Sequence, residues 1–176
     1  EVIAVWAQAF DNQKWAQDGS AGIIITDFDG IITTVYNEGD GVTGIKGQLD
    51  EFNGLLELIP TVDPGVATST GNPVIAQSVT IADLLNDHEP YESQLVEIAD
   101  VVFADANGVA TFATNTNYNI SDSSSAVAKS NASSKTSAGP IAFSTYLIRN
   151  PDYIGQIIPS GPQTIKAIVG EYNGAV

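Results

Sequence analysis

Ile45-Lys46-Gly47-Gln48-Leu49-Asp50-Glu51-Phe52-Asn53-Gly54 returns, at a constant shift of 120 positions (45 to 165), as Ile165-Lys166-Ala167-Ile168-Val169-Gly170-Glu171-Tyr172-Asn173-Gly174. Self-similarity at this distance means that one supersecondary unit is used twice, so both halves of the chain are expected to share an architecture. Each copy alternates in the same parity: Ile45, Gly47 and Leu49 lie opposite Lys46 and Gln48, just as Ile165, Ala167 and Val169 lie opposite Lys166. A period of two is the mark of a half-buried strand. Asn53-Gly54 and Asn173-Gly174 then supply the two positive-φ residues of a tight hairpin turn. After the first turn, Leu55-Leu56-Glu57-Leu58-Ile59 reads as the returning strand. After the second, only Ala175-Val176 follow, so the second unit is expected to lack most of its returning strand.

With 176 residues, 43% of them hydrophobic, the chain can fill the core of one ordinary domain or of two small ones, and the repeat favours two. No run approaches the roughly 18 consecutive apolar residues of a membrane span, and no basic-flanked apolar leader opens the chain. Glu1 stands first and methionine is absent, so a processed form or a fragment is expected. The net charge of −15, from 21 acidic and 6 basic residues, repels polyanions and makes nucleic acid an unfavoured partner. Absence of cysteine excludes disulfides, thiolate nucleophiles and zinc-thiolate sites.

Along the chain, Val2 to Phe10 and the run from Trp15 read as two strands. Ala21 to Thr26 reads as a continuation of the second past a kink at Gly19-Ser20, and Ile31 to Tyr36 as a third. Residues 61–90 form a Pro-containing connector. Within it Thr80-Ile81-Ala82-Asp83 has the capping hydroxyl and the acid three residues on that open a helix. Gln94 to Phe103 is a long strand, with further strands at Phe112 and at Tyr118 to Ile120. Asp122 aligns with Asp18 at a shift of 104, against 120 for the hairpin, leaving 16 extra residues for a Ser-rich loop over 121–140.

Trp15-Ala16-Gln17-Asp18-Gly19-Ser20-Ala21-Gly22-Ile23, Gly39-Asp40, Gly47 to Leu58 and Tyr91-Glu92-Ser93-Gln94-Leu95-Val96-Glu97-Ile98 carry a resemblance. They resemble the OB-fold modules of Bacteroidetes cell-surface and secreted proteins, a family largely of unknown function, over nearly the whole chain outside the Ser-rich loop. The resemblance implies small Greek-key β-barrels, export to the outer surface or the medium, and a role beside catalytic or adhesive regions with no catalysis of their own. OB barrels commonly bind oligonucleotides or oligosaccharides across one face.

Several residues invite a chemical reading. Trp6, Trp15 and Tyr36 could stack on a sugar ring if they are exposed on a barrel face, and otherwise they fill the core. Asp27, Asp29 and Asp40 are candidate calcium ligands, although Ile31 and Ile32 occupy positions where an EF-hand loop needs an oxygen ligand and a glycine, and Asp-Gly pairs are foremost turn formers. His88, the sole histidine, could act as a base beside Asp87 or favour the negative end of the preceding helix. Glu51 and Glu171 share a repeat position at a turn, and Lys46 and Lys166 a solvated strand face. Neither a Gly-x-Ser-x-Gly elbow nor a second histidine is present to build a triad.

The expected protein is therefore mostly β: two tandem OB-like Greek-key β-barrels with a short connecting helix. The first barrel spans 1–60, the connector 61–90 carries its helix over about 80–87, and the second barrel spans 91–176 with its last strand truncated. The expected role is that of a noncatalytic module, on the cell surface or extracellular, binding a glycan or protein partner. No cofactor is expected, and calcium is the one candidate that the acidic residues raise. The alternative is a scaffold or self-assembling subunit that adds a strand at the open second barrel.

Overall fold

The computed structural model describes residues 2–7, 12–123, 141–146 and 151–176. The Ser-rich loop lies, beyond Ser123, outside the described residues.

The chain is mostly β and forms two sheets. In the first, β1 (Val2–Ala7) and β2 (Lys14–Gln17) run antiparallel, with a bulge between Ala4 and Trp6. β3 (Gly22–Ile25) returns along β2. Gly19-Ser20 is thus a reversal and not a kink: Asp18 Oδ1 accepts from the amides of Ser20 at 2.8 Å and Ala21 at 3.1 Å, closing a turn with its own side chain. Ile31 to Tyr36, expected as a strand, is irregular. Its backbone finds acceptors elsewhere, the amides of Thr33 and Thr34 donating to Asp63 Oδ2 at 2.8 and 3.1 Å, while Ile32 and Tyr36 turn into the core.

β4 (Gly41–Val42) pairs with β1, and β5 (Gly47–Phe52) and β6 (Leu55–Pro60) form the expected hairpin, with φ of 55° at Asn53 and 103° at Gly54. β6 continues as the parallel neighbour of β3, giving the order β4-β1-β2-β3-β6-β5. Because β4 occupies the outer edge of β1, β5 is left on the opposite rim. All of β5 is exposed, and Leu49, expected half-buried, is 67% exposed.

The second sheet draws a strand from the connector: β7 (Gln77–Val79) runs parallel to the first half of β8 (Leu95–Phe103). Between them α1 (Ile81–Asn86) begins at Thr80 in a complete capping box. The Asp83 amide donates to Thr80 Oγ1 at 3.0 Å and the Thr80 amide to Asp83 Oδ2 at 2.9 Å, as the sequence predicts. A 3-10 turn, Glu89–Tyr91, leads into β8. β9 (Asn117–Asp122), β10 (Ala142–Ser144) and β11 (Gln163–Ile168) complete the order β10-β9-β8-β11. At Phe112 there is no strand, only a bridge between Thr111 and Ile157. The second Asn-Gly pair is a tight turn like the first, with φ of 53° and 78°. Among the described residues neither sheet closes into a barrel, where closed barrels were expected.

The second core is the larger. Phe112 meets Phe103, Tyr118 and Tyr153 edge-on at centroid distances of 5.2–5.3 Å, a geometry that aligns ring edges with ring faces. Ile25, Ile32, Tyr36 and Val42 fill the first. A third cluster binds the sheets together: Trp15, Ile24 and Leu55 from one side, Leu95 and Ile168 from the other. Gly22 is required at this junction, since a Cβ there would collide with the backbone of Ser93.

Candidate functional site

The two hairpin turns, far apart in sequence, meet. Asn173 N donates to Asn53 O at 2.6 Å, and the rings of Phe52 and Tyr172 lie 6.3 Å apart at 59°. Both contacts join equivalent positions of the repeat, so the two turns meet like against like. Phe52 and Tyr172 are 59% and 60% exposed, forming an aromatic pair on the surface.

Beside this pair lies a cluster of ionisable groups. Glu171 Oε1 accepts from Gly174 N at 3.0 Å, stitching its own turn, while Oε2 lies 3.0 Å from His88 Nε2. His88 therefore answers a carboxylate 83 residues away rather than Asp87 or the end of α1. Glu89 Oε1 lies 4.0 Å from the same nitrogen. Glu92 Oε1 accepts from Leu56 N, at 3.1 Å, across the junction. Burial raises the Glu92 pKa above its ordinary value, and the charges of Glu89 and Glu171 push the same way against the Leu56 amide and His88. Gly54 makes room for this arrangement, because a Cβ there would strike the Glu171 carboxylate. The shared glutamate position thus does more than form a turn in the second copy. In the first, Glu51 is simply exposed.

Of the two readings open to the aromatic candidates, binding face or core, the described ones take the core. Trp15 and Tyr36 are each 7% exposed, Trp15 in the junction cluster and Tyr36 in the first core with its hydroxyl donating to Gly65 O. Trp6 sits on β1 with its backbone opposite Trp15, and its side chain lies outside the described part. The apolar cavity beside them, lined by Ala4, Ile25, Tyr36, Val42 and Ile45, has room of about 20 Å³, enough for a water and far too little for a sugar ring.

The calcium candidates do not converge. Asp27 is buried, and its two carboxylate oxygens accept from the amides of Ile31 at 2.7 Å and Ile32 at 2.9 Å. Asp40 caps Asn37 N at 2.7 Å and Asp29 is exposed. Among the described residues, the group of histidine and carboxylate ligand atoms that does converge, all within 4.8 Å of one another, is His88, Glu89 and Glu171. The sequence set His88 beside Asp87 and Glu171 against Glu51; nothing in it marks the meeting of His88 with Glu171, because His88 and Glu89 lie outside the repeated segments and reach Glu171 only through the fold. Lys166, read as a solvated strand residue, is exposed and pairs with Glu97 at 3.4 Å, a surface contact worth about 1 kcal/mol or less.

The rim of β10 is a second feature. Ala142 N points away from β9 and donates to Val176 O at 2.8 Å. Val176 holds the repeat position of Leu56, the second residue of β6, the strand that pairs in parallel with β3 in the first sheet. Comparison with family models, with curated proteins and with solved structures finds no match to this chain.

Proposed function

We propose that this chain is a noncatalytic structural module of two OB-like units whose second sheet takes up a β-strand from a protein partner, parallel to β10. The observation that carries the reading is the strand order. An OB barrel is cyclic: a three-stranded meander, a parallel neighbour for the third strand, and a hairpin partner that returns to the first. The first sheet follows this cycle through β1-β2-β3-β6-β5 and is open between β5 and β1. The second follows it through β10-β9-β8-β11 and is open between β10 and β11, where a counterpart of β6 would lie. The Ala142–Val176 hydrogen bond is the first rung such a strand would use.

Chemistry favours β10 over β5 as the receiving rim. β5 carries Gln48, Asp50 and Glu51 and follows Lys46, the charged decoration that discourages edge-to-edge pairing, whereas Ala142-Phe143-Ser144 is uncharged. Strand addition draws affinity from main-chain hydrogen bonds and specificity from alternate side chains, so it needs no deep pocket. A labelled peptide Gly-Leu-Leu-Glu-Leu-Ile-Pro, the sequence of residues 54–60, tests the reading. Saturable binding with resonance shifts at Ala142 to Ser144, absent for a scrambled peptide, is expected. Equal behaviour of the two peptides would refute it.

A second reading rests on the exposed pair Phe52 and Tyr172, which offers a glycan or protein partner two adjacent rings. Glycan binding that disappears in Phe52→Ala and Tyr172→Ala would favour it; binding unaffected by both would remove it. Under either reading the module acts at the outer cell surface or in the medium, as the OB-fold resemblance implies.

A further inference from the structure

The geometry points to a binding site for one divalent transition-metal ion of the zinc class, held by His88 Nε2, Glu171 Oε2 and Glu89 Oε1, at the place where the two repeat copies meet. Zinc bonds to imidazole nitrogen and carboxylate oxygen at about 2.0–2.2 Å in a tetrahedral array, which sets neighbouring ligand atoms about 3.4 Å apart. The imidazole nitrogen is 3.0 Å from Glu171 and 4.0 Å from Glu89, close to that spacing on either side. The two carboxylates lie within 4.8 Å of each other, and the Glu89 side chain, 71% exposed, is free to swing inward by the ångström or so that the array requires.

Two of the three ligands are built in place. Glu171 is 12% exposed and fixed through its other oxygen by Gly174 N, the kind of outer hydrogen bond that orients a metal-bound carboxylate. His88, 20% exposed, is set by the end of α1 and the 3-10 turn that follows. Gly54 keeps the approach clear of a side chain from the opposite turn. An imidazole among the donors selects a first-row transition ion over calcium or magnesium, which prefer oxygen ligands throughout. The ion would staple the connector to the second hairpin turn, which is itself bonded to the first, and its positive charge would relieve the crowding of Glu89, Glu92 and Glu171.

The test is isothermal titration of the chelator-washed chain with Zn²⁺, repeated with Ca²⁺ and with His88→Ala and Glu89→Gln variants whose fold is checked by circular dichroism. One Zn²⁺ per chain, an affinity at least 10-fold above that for Ca²⁺, a loss of 100-fold or more in His88→Ala and of about 10-fold in Glu89→Gln are expected. Glu89 is exposed, so its variant remains informative even if His88→Ala disturbs the junction. No saturable Zn²⁺ uptake, or uptake that folded Glu89→Gln retains at full affinity, would overturn the three-ligand site.

Discussion

The two copies of the repeated strand use opposite edges. β5 bonds to the strand that follows it, β6, and leaves its other edge free, while β11 bonds to a strand that precedes it, β8, from Ile168↔Leu95 to Gln163↔Val101. In a closed OB barrel one strand would do both. Local sequence therefore determines the strand and its turn, but which edge is satisfied depends on what else reaches it. In the first unit β4 occupies the edge of β1 that β5 would need. In the second, the partner that β6 supplies to β5 has no counterpart among the described strands.

The largest effect is expected where the copies are joined. Trp15→Ala empties the junction cluster and should cost about 3–5 kcal/mol in urea unfolding. A loss under about 1 kcal/mol would mean that the copies stand independently. The repeat then offers two internal controls. At its third position Gly47→Ala drives a Cβ into the Ile59 carbonyl and the Leu58 side chain, so a loss of about 2–3 kcal/mol is expected. The second copy already has alanine there, and Ala167→Gly should cost only about 1 kcal/mol through backbone entropy. Equal costs would erase the distinction between the two edges.

At the last position of the repeat Gly54→Ala and Gly174→Ala both force alanine to positive φ, an expense of about 1 kcal/mol each. Only Gly54→Ala also displaces the Glu171 carboxylate, whereas the space at Gly174 is open, so thermal denaturation should show roughly twice the loss for the first. The smallest effect concerns acid. Hydrogen bonds from Gly65 N, then from the Thr33 hydroxyl and the Thr33 and Thr34 groups beside it, hold the Asp63 carboxyl far below the usual range. A depressed folded pKa contributes stability above the unfolded value, about 3.9, that fades as pH falls through the folded one. Asp63→Asn should thus lower the Tm at neutral pH, with the gap to the parent chain narrowing below about pH 4. A gap that widens in acid would contradict the assigned cause.

Both Asn-Gly turns, the capping box at Thr80 and the long strand β8 were legible because each is written in adjacent residues. The exposure of Leu49 was not, since alternation gives a strand two faces without saying whether a second layer covers either. Thr33 and Thr34 read as β-prone, yet their amides are captured by Asp63, some 30 positions away. Trp15 and Tyr36 were open to two readings, with core packing the simpler, and both are buried; what they pack against was not legible, because it depends on the other sheet and on the connector. The pairing of His88 with Glu171 depends on the same long-range placement.

The most direct test of the shared strand order is to append Glu-Leu-Ile-Pro, the sequence of residues 57–60, after Val176 and follow amide exchange at Ser144 together with the Tm. If the second sheet is the first sheet's cycle opened at a different point, the added residues will continue the rung at Ala142, slow exchange at Ser144 and raise the Tm. Unchanged exchange and an unchanged Tm would show that the rim of β10 is not a place for a strand.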